Sequence, residues 1–200
     1  MTDFTLDMTM MFAIHDALRR DLKDVAQVHT RNEGWDLFDR MLHLHHTIED
    51  DLLWPVMRDA AAGRSEDLAL LDEMETEHAA IVPLLETLDR ALTDGQTTPQ
   101  ARADLDARLR EHLTHEEREA LPLVDQTLTE EQWMAFGRGS IQRIGADMAR
   151  FWPWVLDGAD EDTTTHLLGI LPAPVRQTYE NEWRPTYAAV DRWATTSSIT

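Results

Sequence analysis

Two short segments of the chain carry a histidine and a glutamate at helical spacing. His45 precedes Glu49 by four residues, His112 precedes Glu116 by four, and each glutamate is followed six residues later by a proline. Because residues four apart lie on the same face of a helix, each segment is predicted to present an imidazole nitrogen and a carboxylate together. The match between the two segments in length and key positions indicates an internal repeat.

Two further histidines, His15 and His78, lie on the apolar stripes of the helices that precede the two copies of this repeat. We therefore predict that four histidines and two glutamates converge in one layer of the protein. Buried carboxylates that face histidines are costly unless a charge compensates them, and a bound metal supplies that compensation. Two carboxylates also suit a pair of metals, since each carboxylate is able to bridge two ions.

The available donor atoms narrow the choice of metal. The sequence contains no cysteine, so any metal must use nitrogen and oxygen ligands. Mixed imidazole and carboxylate ligation suits iron or manganese, with zinc as a further option. Calcium and magnesium prefer shells made of oxygen alone, and they fit this set of residues poorly.

Four amphipathic helices are predicted to position these residues, because apolar side chains recur at helical spacing and no segment alternates like a strand. The helices are expected over residues 4–29, from Asn32 to Gly63, from Ser65 to Gly95, and from Thr98 onward. Asn32, Ser65 and Thr98 are the expected N-caps. Amphipathic helices with short connections are typical of an up-down-up-down four-helix bundle, so the predicted fold class is all-α.

Three prolines inside these helices are expected to disturb them, since proline lacks the N–H that bonds to the carbonyl four residues earlier. Pro55 and Pro122 are predicted to kink or end their helices one to two turns past the candidate ligands. Pro83 is predicted to kink the third helix just past His78.

The character of the sequence changes after the fourth helix. We divide the chain into the bundle, residues 1–127, and a C-terminal helical extension, residues 128–200, which holds five of the seven tryptophans. So much aromatic area indicates that the extension packs on the bundle. It is expected to begin with a capping box at Thr129 and Gln132, to be helical near 164–171 and 174–193, and to be loose from 195 to 200.

The composition excludes several classes of function. A chain of 200 residues with 42% hydrophobic residues is long enough and apolar enough to form a substantial core. A formal net charge of −20 argues against nucleic acid and anionic membrane surfaces as partners. The sequence has neither a long apolar run nor a secretory signal pattern, so a cytoplasmic protein is the expectation.

Taken together, the motifs resemble those of the hemerythrin-like family, which is defined by the HHE cation-binding domain. The matching features are a first-helix histidine, H-H-x-x-E-x5-P in the second helix, a lone E-H in the third, and H-x-x-x-E-E-x4-P in the fourth, over about residues 8–126. The resemblance implies two irons with an oxo or hydroxo bridge, in preference to manganese or zinc, with Glu49 and Glu116 bridging them. It also implies a set of iron ligands, namely His15, His45, Glu49, His78, His112 and Glu116.

The sequence departs from the oxygen-carrying members of this family at Met74. Those proteins have a second third-helix histidine one turn before the first, and Met74 stands at that position here. One iron therefore lacks a ligand unless another side chain replaces it. His46 is the first candidate, because some relatives use a ligand directly after the second-helix histidine, and Glu75 is the second.

Other polar residues near the motifs have different expected roles. Asp50 and Glu117 are expected to be solvated charges, and the alternative is that one of them accepts a hydrogen bond from an imidazole N–H group of the site. His115 is expected to point away from the site. The remaining histidines are expected to be partly exposed or hydrogen-bonded, namely His29, His43 and His166.

The resemblance and the missing ligand favour a site that binds or reacts with dioxygen, peroxide or nitric oxide. An enzyme of this kind would decompose peroxide or act as an oxidase. One alternative is an iron- or oxygen-sensing module that presents the extension to a protein partner. A second alternative is an unreactive structural site, for which zinc is the natural metal. Either a monomer or a homodimer is compatible with the sequence.

Overall fold

The computed structural model describes residues 4–96 and 99–194, and every regular element in these ranges is a helix. The predicted all-α class is therefore confirmed. The bundle contains α1 (Thr9–Val25), α2 (Glu33–Ile48), α3 (Trp54–Ala60), α4 (Ser65–Thr93), α5 (Pro99–His115) and α6 (Leu121–Thr127). Two five-residue π-helical turns join α2 to α3 and α5 to α6, so each pair forms one long helix.

Contacts between chain segments at the two ends of the bundle establish its topology. At one end, the backbone N–H of Leu6 donates to Asp125 at 2.7 Å, just before α1, and Arg64 donates to Thr127 at 3.0 Å. At the other end, the N–H of Arg31 donates to the carbonyl of Leu92 at 3.2 Å. The start of α1 thus lies beside the ends of α3 and α6, while the start of α2 lies beside the end of α4. The four long helices therefore run up, down, up and down.

Several predicted helix ends are corrected by the structure. The first helix begins at Thr9 rather than residue 4, because the preceding backbone N–H groups bond to Asp125, and it ends at Val25 rather than residue 29. Asn32 is confirmed as an N-cap, since its side chain accepts from the N–H of Trp35 at 2.9 Å. Ser65 is instead the first helical residue of α4, and Arg64 precedes it. Thr98 and residues 195–200 lie outside the described residues.

The prolines after the candidate ligands widen their helices rather than end them. The N–H of Trp54 bonds to the carbonyl of Glu49, five residues earlier, directly before Pro55. The repeat behaves identically, because the N–H of Leu121 bonds to the carbonyl of Glu116 directly before Pro122. A proline ring clashes with the carbonyl four residues earlier, and a turn with one extra residue relieves that clash. In contrast, α4 continues without interruption through Pro83.

The extension is helical as predicted, although its helices are divided differently. The capping box of Thr129 and Gln132 is confirmed. The elements that follow are α7 (Glu130–Ile144), α8 (Met148–Leu156), α9 (Glu161–Ile170), α10 (Ala173–Thr178) and α11 (Arg184–Ala188). The sequence pattern did not predict α8, and the helix expected over 174–193 ends at Ala188, with a π-helical turn before Pro185 that joins α10 to α11. No helix within the described ranges is long and apolar enough to cross a membrane.

Helices α7, α8 and α9 of the extension contact the bundle, and α8 packs against α1. Phe151 and Trp152 share one apolar core with Leu18 and Leu22 of α1. Trp154 is fully buried, and its indole N–H donates to the buried carboxylate of Asp21 at 2.7 Å. A buried aromatic residue with a satisfied N–H contributes both apolar area and a specific hydrogen bond. The extension is therefore part of the same core as the helices that hold the candidate ligands.

We expect Trp154→Phe to destabilise the protein, because it keeps an aromatic ring but removes the indole donor from buried Asp21. Leaving a buried carboxylate without this donor costs about 1–3 kcal/mol. Urea unfolding followed by circular dichroism measures the change. Trp183→Phe, at a partly exposed position of the extension, is the matched control. Equal stability of the two variants would contradict this role for Trp154.

Candidate metal centre

The structure brings all of the predicted metal ligands together at the centre of the bundle. Each long helix contributes, and none of the side chains is more than 7% exposed. Glu49 and Glu116 are the first residues of the two π-helical turns. The histidines come from α1 (His15), α2 (His45 and His46), α4 (His78) and α5 (His112).

These residues form two groups, each of which has the composition of a metal site. One group consists of His46, His78 and His112. The other group consists of His15, His45, Glu49 and Glu116. Within each group, one ligand atom from every residue lies within 4.8 Å of the others. The arrangement therefore has room for two neighbouring cations with nitrogen and oxygen ligands.

The Nε2 atoms of the histidines approach one another closely. His15 Nε2 lies 3.1 Å from His45 Nε2, and His78 Nε2 lies 3.2 Å from His112 Nε2. Lone pairs on two nitrogens at this distance repel unless a proton or a metal ion lies between them. Glu116 Oε2 lies 3.2 Å from His15 Nε2, and Glu49 Oε2 lies 3.7 Å from His78 Nε2. Each carboxylate therefore faces a histidine of the other half of the bundle.

Three carboxylates outside these groups bind the far nitrogens of the histidines. Glu117 lies 2.9 Å from His15 Nδ1, Asp50 lies 2.7 Å from His78 Nδ1, and Glu77 lies 2.9 Å from His112 Nδ1. A carboxylate at Nδ1 accepts a hydrogen bond from the Nδ1–H group and so keeps the proton on Nδ1, which leaves the Nε2 lone pair free to bind a metal.

The internal repeat gives the centre an approximate two-fold symmetry. His15 corresponds to His78, and Glu117, which binds His15, corresponds to Asp50, which binds His78. In both cases, a carboxylate from one half of the bundle binds a histidine of the other half. His46 breaks the symmetry, because its counterpart is Leu113, a fully buried apolar residue. One side of the centre consequently has three histidines and the other side has two.

A comparison with models of protein families identifies the family that has this arrangement of residues. A family model described as the hemerythrin HHE cation binding domain matches residues 7–124, which include every candidate ligand and more than half of the chain. The chain belongs to the hemerythrin HHE family. Comparisons with curated proteins and with solved structures returned no match. Family membership establishes a helical module that binds cations.

The buried carboxylates of this hemerythrin-like centre fit a metal. Within the described part of the chain, both oxygens of Glu49, both oxygens of Glu116 and Nε2 of His46 are buried without a hydrogen-bond partner. Polar atoms this deeply buried are normally satisfied, and a bound ion is one standard way in which proteins satisfy them. Metal coordination would satisfy these five atoms together.

Burial and mutual repulsion determine the protonation of the centre in the absence of metal. Burial, with repulsion from Glu116, holds the pKa of Glu49 well above its ordinary value. Burial also opposes ionisation of Glu116, but the neighbouring His15 more than offsets this and lowers the pKa of Glu116. Burial disfavours the charged form of His15, yet Glu116 and Glu117 overcome that cost and raise its pKa to about 9. Burial lowers the pKa values of His45 and His46, which favours the neutral imidazoles that bind metals.

The structure also separates the remaining candidates. Glu75 lies outside the two groups and forms an ion pair with Arg58 at 2.8 Å, whereas His46 belongs to the group that contains His78 and His112. Met74, one turn before His78, is fully buried. His115 lies outside both groups, with its Nδ1 2.9 Å from Glu77. His29 and His43 are exposed, and His166 pairs with Asp7.

The sequence offered contact with an imidazole only as the alternative for Asp50 and Glu117, and it did not indicate two other residues around the centre. Glu77 binds both His112 and His115 across the α4–α5 interface. Arg19 binds both oxygens of Glu117, at 2.6 and 2.9 Å. The sequence feature that could have indicated Glu77 is its position directly before His78. Arg19 lies one helical turn after His15 and had no signal beyond that spacing.

The raised pKa of His15 predicts how the stability of the metal-free protein depends on pH. Because the folded-state pKa of about 9 exceeds the ordinary value of 6.5, the stabilisation is complete below pH 6.5 and is lost as the pH rises to about 9. We expect the urea midpoint of chelator-treated protein to fall across this range. His15→Gln should show a much smaller fall. An identical fall in this variant would show that His15 is not responsible.

Proposed function

We propose that this protein is a non-haem di-iron protein that binds or reacts with dioxygen, peroxide or nitric oxide. The observation that carries the proposal is the pair of buried ligand groups around Glu49 and Glu116, whose carboxylate oxygens have no hydrogen-bond partner. Carboxylates in this position are suited to bridge two cations, as in other di-iron helical bundles. The absence of cysteine and the mixture of imidazoles and carboxylates favour iron over softer metals.

The residues proposed to hold the irons are those of the two groups. His46, His78 and His112 would bind one ion, His15 and His45 would bind the other, and Glu49 and Glu116 would bridge them. Iron held by this set supplies redox chemistry and open positions for a small ligand.

The protein itself orients the imidazole rings of the centre and buries them away from water. Glu117, Asp50 and Glu77 hold the Nδ1 protons of three imidazoles and fix the direction of each ring. Stacking of the His46 ring on the His78 ring, with centroids 3.9 Å apart, further restricts the three-histidine side. With both glutamates shared between the ions, the two-histidine side would have one protein ligand fewer than the three-histidine side, so it is the side on which we propose that dioxygen, peroxide or nitric oxide binds.

We expect protein loaded with ferrous iron without oxygen and then exposed to air to contain about two irons per chain, as other bundle di-iron sites do. His46→Ala should reduce this to about one, because it removes a ligand from the three-histidine group. Elemental analysis and the near-ultraviolet absorption of the ferric protein measure the result. His43→Ala, at an exposed position on the same helix, is the matched control.

Three outcomes of these measurements would count against the proposal. Failure to take up ferrous iron would overturn it, and so would tight binding of zinc with no reaction on exposure to oxygen. Retention of two irons by His46→Ala would overturn the assignment of His46.

Removal of one of the carboxylates that bind the Nδ1 atoms of the histidines is expected to weaken metal binding without removing a ligand. Glu77→Ala leaves His112 Nδ1 without its acceptor, and loss of such a partner typically lowers metal affinity by about 10–100-fold. Competition with a chromogenic chelator measures the affinity. Glu73→Ala, which alters an exposed residue one helical turn away, should bind metal like the unaltered protein. Equal affinities of the two variants would refute the orienting role.

A further inference from the structure

An apolar cavity of about 290 Å³ lies between the bundle and the extension. Helices α1 and α2 form one wall, and α7, α8 and α9 of the extension form the other. Most of the lining side chains are methionine, isoleucine, leucine, phenylalanine and tryptophan. Three of these side chains are at least half exposed and mark the opening to solvent, namely Met134, Ile141 and Ile170.

The cavity reaches the metal centre at His45. This histidine lines the cavity while its Nε2 lies 3.1 Å from His15 and its Nδ1 lies 3.4 Å from Glu49. An occupant of the cavity would therefore contact the ring of a proposed iron ligand. The contact is on the two-histidine side of the centre.

The internal repeat explains why the cavity opens at this position. His45 corresponds to His112, whose Nδ1 is bound by Glu77 at 2.9 Å. Because His15 corresponds to His78, the residue that corresponds to Glu77 is Ile14. Ile14 lines the cavity together with His45. One half of the centre is thus closed by a carboxylate, and the other half opens onto an apolar chamber.

The polar groups of the cavity wall indicate the chemistry of the occupant. Asp7 is a charged residue in the wall, but its carboxylate already accepts from Thr9 N–H at 3.1 Å and pairs with His166 at 2.6 Å. A charged ligand would therefore be poorly compensated in the chamber.

The volume sets the size of the occupant. An apolar cavity of about 150 Å³ is able to bind benzene. A cavity of 290 Å³ therefore accommodates a molecule of roughly twice that size, such as a chain of about ten carbons. A helix with its side chains is about 10–12 Å across, so a chamber of this volume is too small to receive a helix of another protein.

We infer that this cavity binds an uncharged, apolar molecule of about ten carbons, and presents it to the His45 side of the metal centre. The inference rests on the proposed function for the role of the metal centre, although binding in the cavity does not require metal. The inference also gives the extension a function, because α7, α8 and α9 complete a binding site that the bundle alone lacks.

Gly137 offers a direct test of the cavity. It lies in the cavity wall on α7, and a Cβ built at this position meets no atom within 4 Å. Gly137→Leu should therefore fill part of the chamber. Leucine is also a far better helix former than glycine, so loss of folding is not the expected effect. Gly169→Leu is the matched control, because Gly169 lies on α9 outside the lining and its Cβ also meets nothing within 4 Å.

The probe is 1-decanol, titrated into the full chain and followed by tryptophan fluorescence and calorimetry. We expect saturable binding, at least 10-fold weaker binding to Gly137→Leu, and unchanged binding to Gly169→Leu. Decanoate, which has the same chain with a charge, should bind more weakly than the alcohol. In iron-loaded protein, decanol should also shift the near-ultraviolet absorption of the metal centre.

Failure of 1-decanol to saturate the protein would overturn the inference, and so would equal affinity of Gly137→Leu and the unaltered chain. A dimer that Ile141→Asp dissociates, combined with no decanol binding, would assign the apolar rim to self-association and overturn it as well. Metal content of the same samples separates the two proposals. Iron uptake without decanol binding removes only the present inference, whereas decanol binding to a chain that takes up no iron supports the cavity and removes the di-iron function.

Discussion

Two glutamates, Glu49 and Glu116, lie at the centre of the bundle with no exposed surface and no hydrogen-bond partner for their carboxylate oxygens. Two like charges buried near one another destabilise a fold unless cations or protons compensate them. The surrounding structure is organised around this cost. Histidine nitrogens face the carboxylates, a ring of outer carboxylates binds the far sides of three imidazoles, and Arg19 in turn binds Glu117. Burial lowers the pKa values of His45, His46 and His112, so these imidazoles do not compensate the two glutamates, whereas a cation at the centre would.

The backbone at these glutamates is a consequence of local sequence. Each glutamate begins a π-helical turn, and each turn ends two residues before a proline. The same relation holds in the extension, where the turn Tyr179–Trp183 precedes Pro185. Proline alone is insufficient, since α4 passes through Pro83 as a regular α-helix. In the bundle, the extra residue in the turn lies directly beside the ligands, and π-helical turns are frequent at functional sites for this reason.

The parts of the structure that could be predicted from the sequence are those that depend on spacing along one helix. His45 with Glu49, and His112 with Glu116, share a helix face by geometry alone, and the apolar stripes fix which face is buried. The caps at Asn32 and Thr129 are likewise local. The contact of Glu77 with His112 depends instead on how α4 packs against α5, and helix α8 was missed because it is only nine residues long and contains Pro153. Packing between elements is not encoded in any single helical spacing.

The differences between the two copies of the repeat explain more than their similarity does. Identical copies would give a symmetric centre, with equal numbers of histidines on both sides and a carboxylate at every imidazole. In this chain, His46 replaces a leucine on one side, and Ile14 replaces a glutamate on the other. The first change concentrates protein ligands around one metal position, and the second removes a polar partner from His45. Both changes leave the His15–His45 side of the centre with fewer polar side chains than the other side. The extension encloses an apolar chamber at that side. The asymmetry of the repeat and the packing of the extension therefore both determine the surroundings of His45.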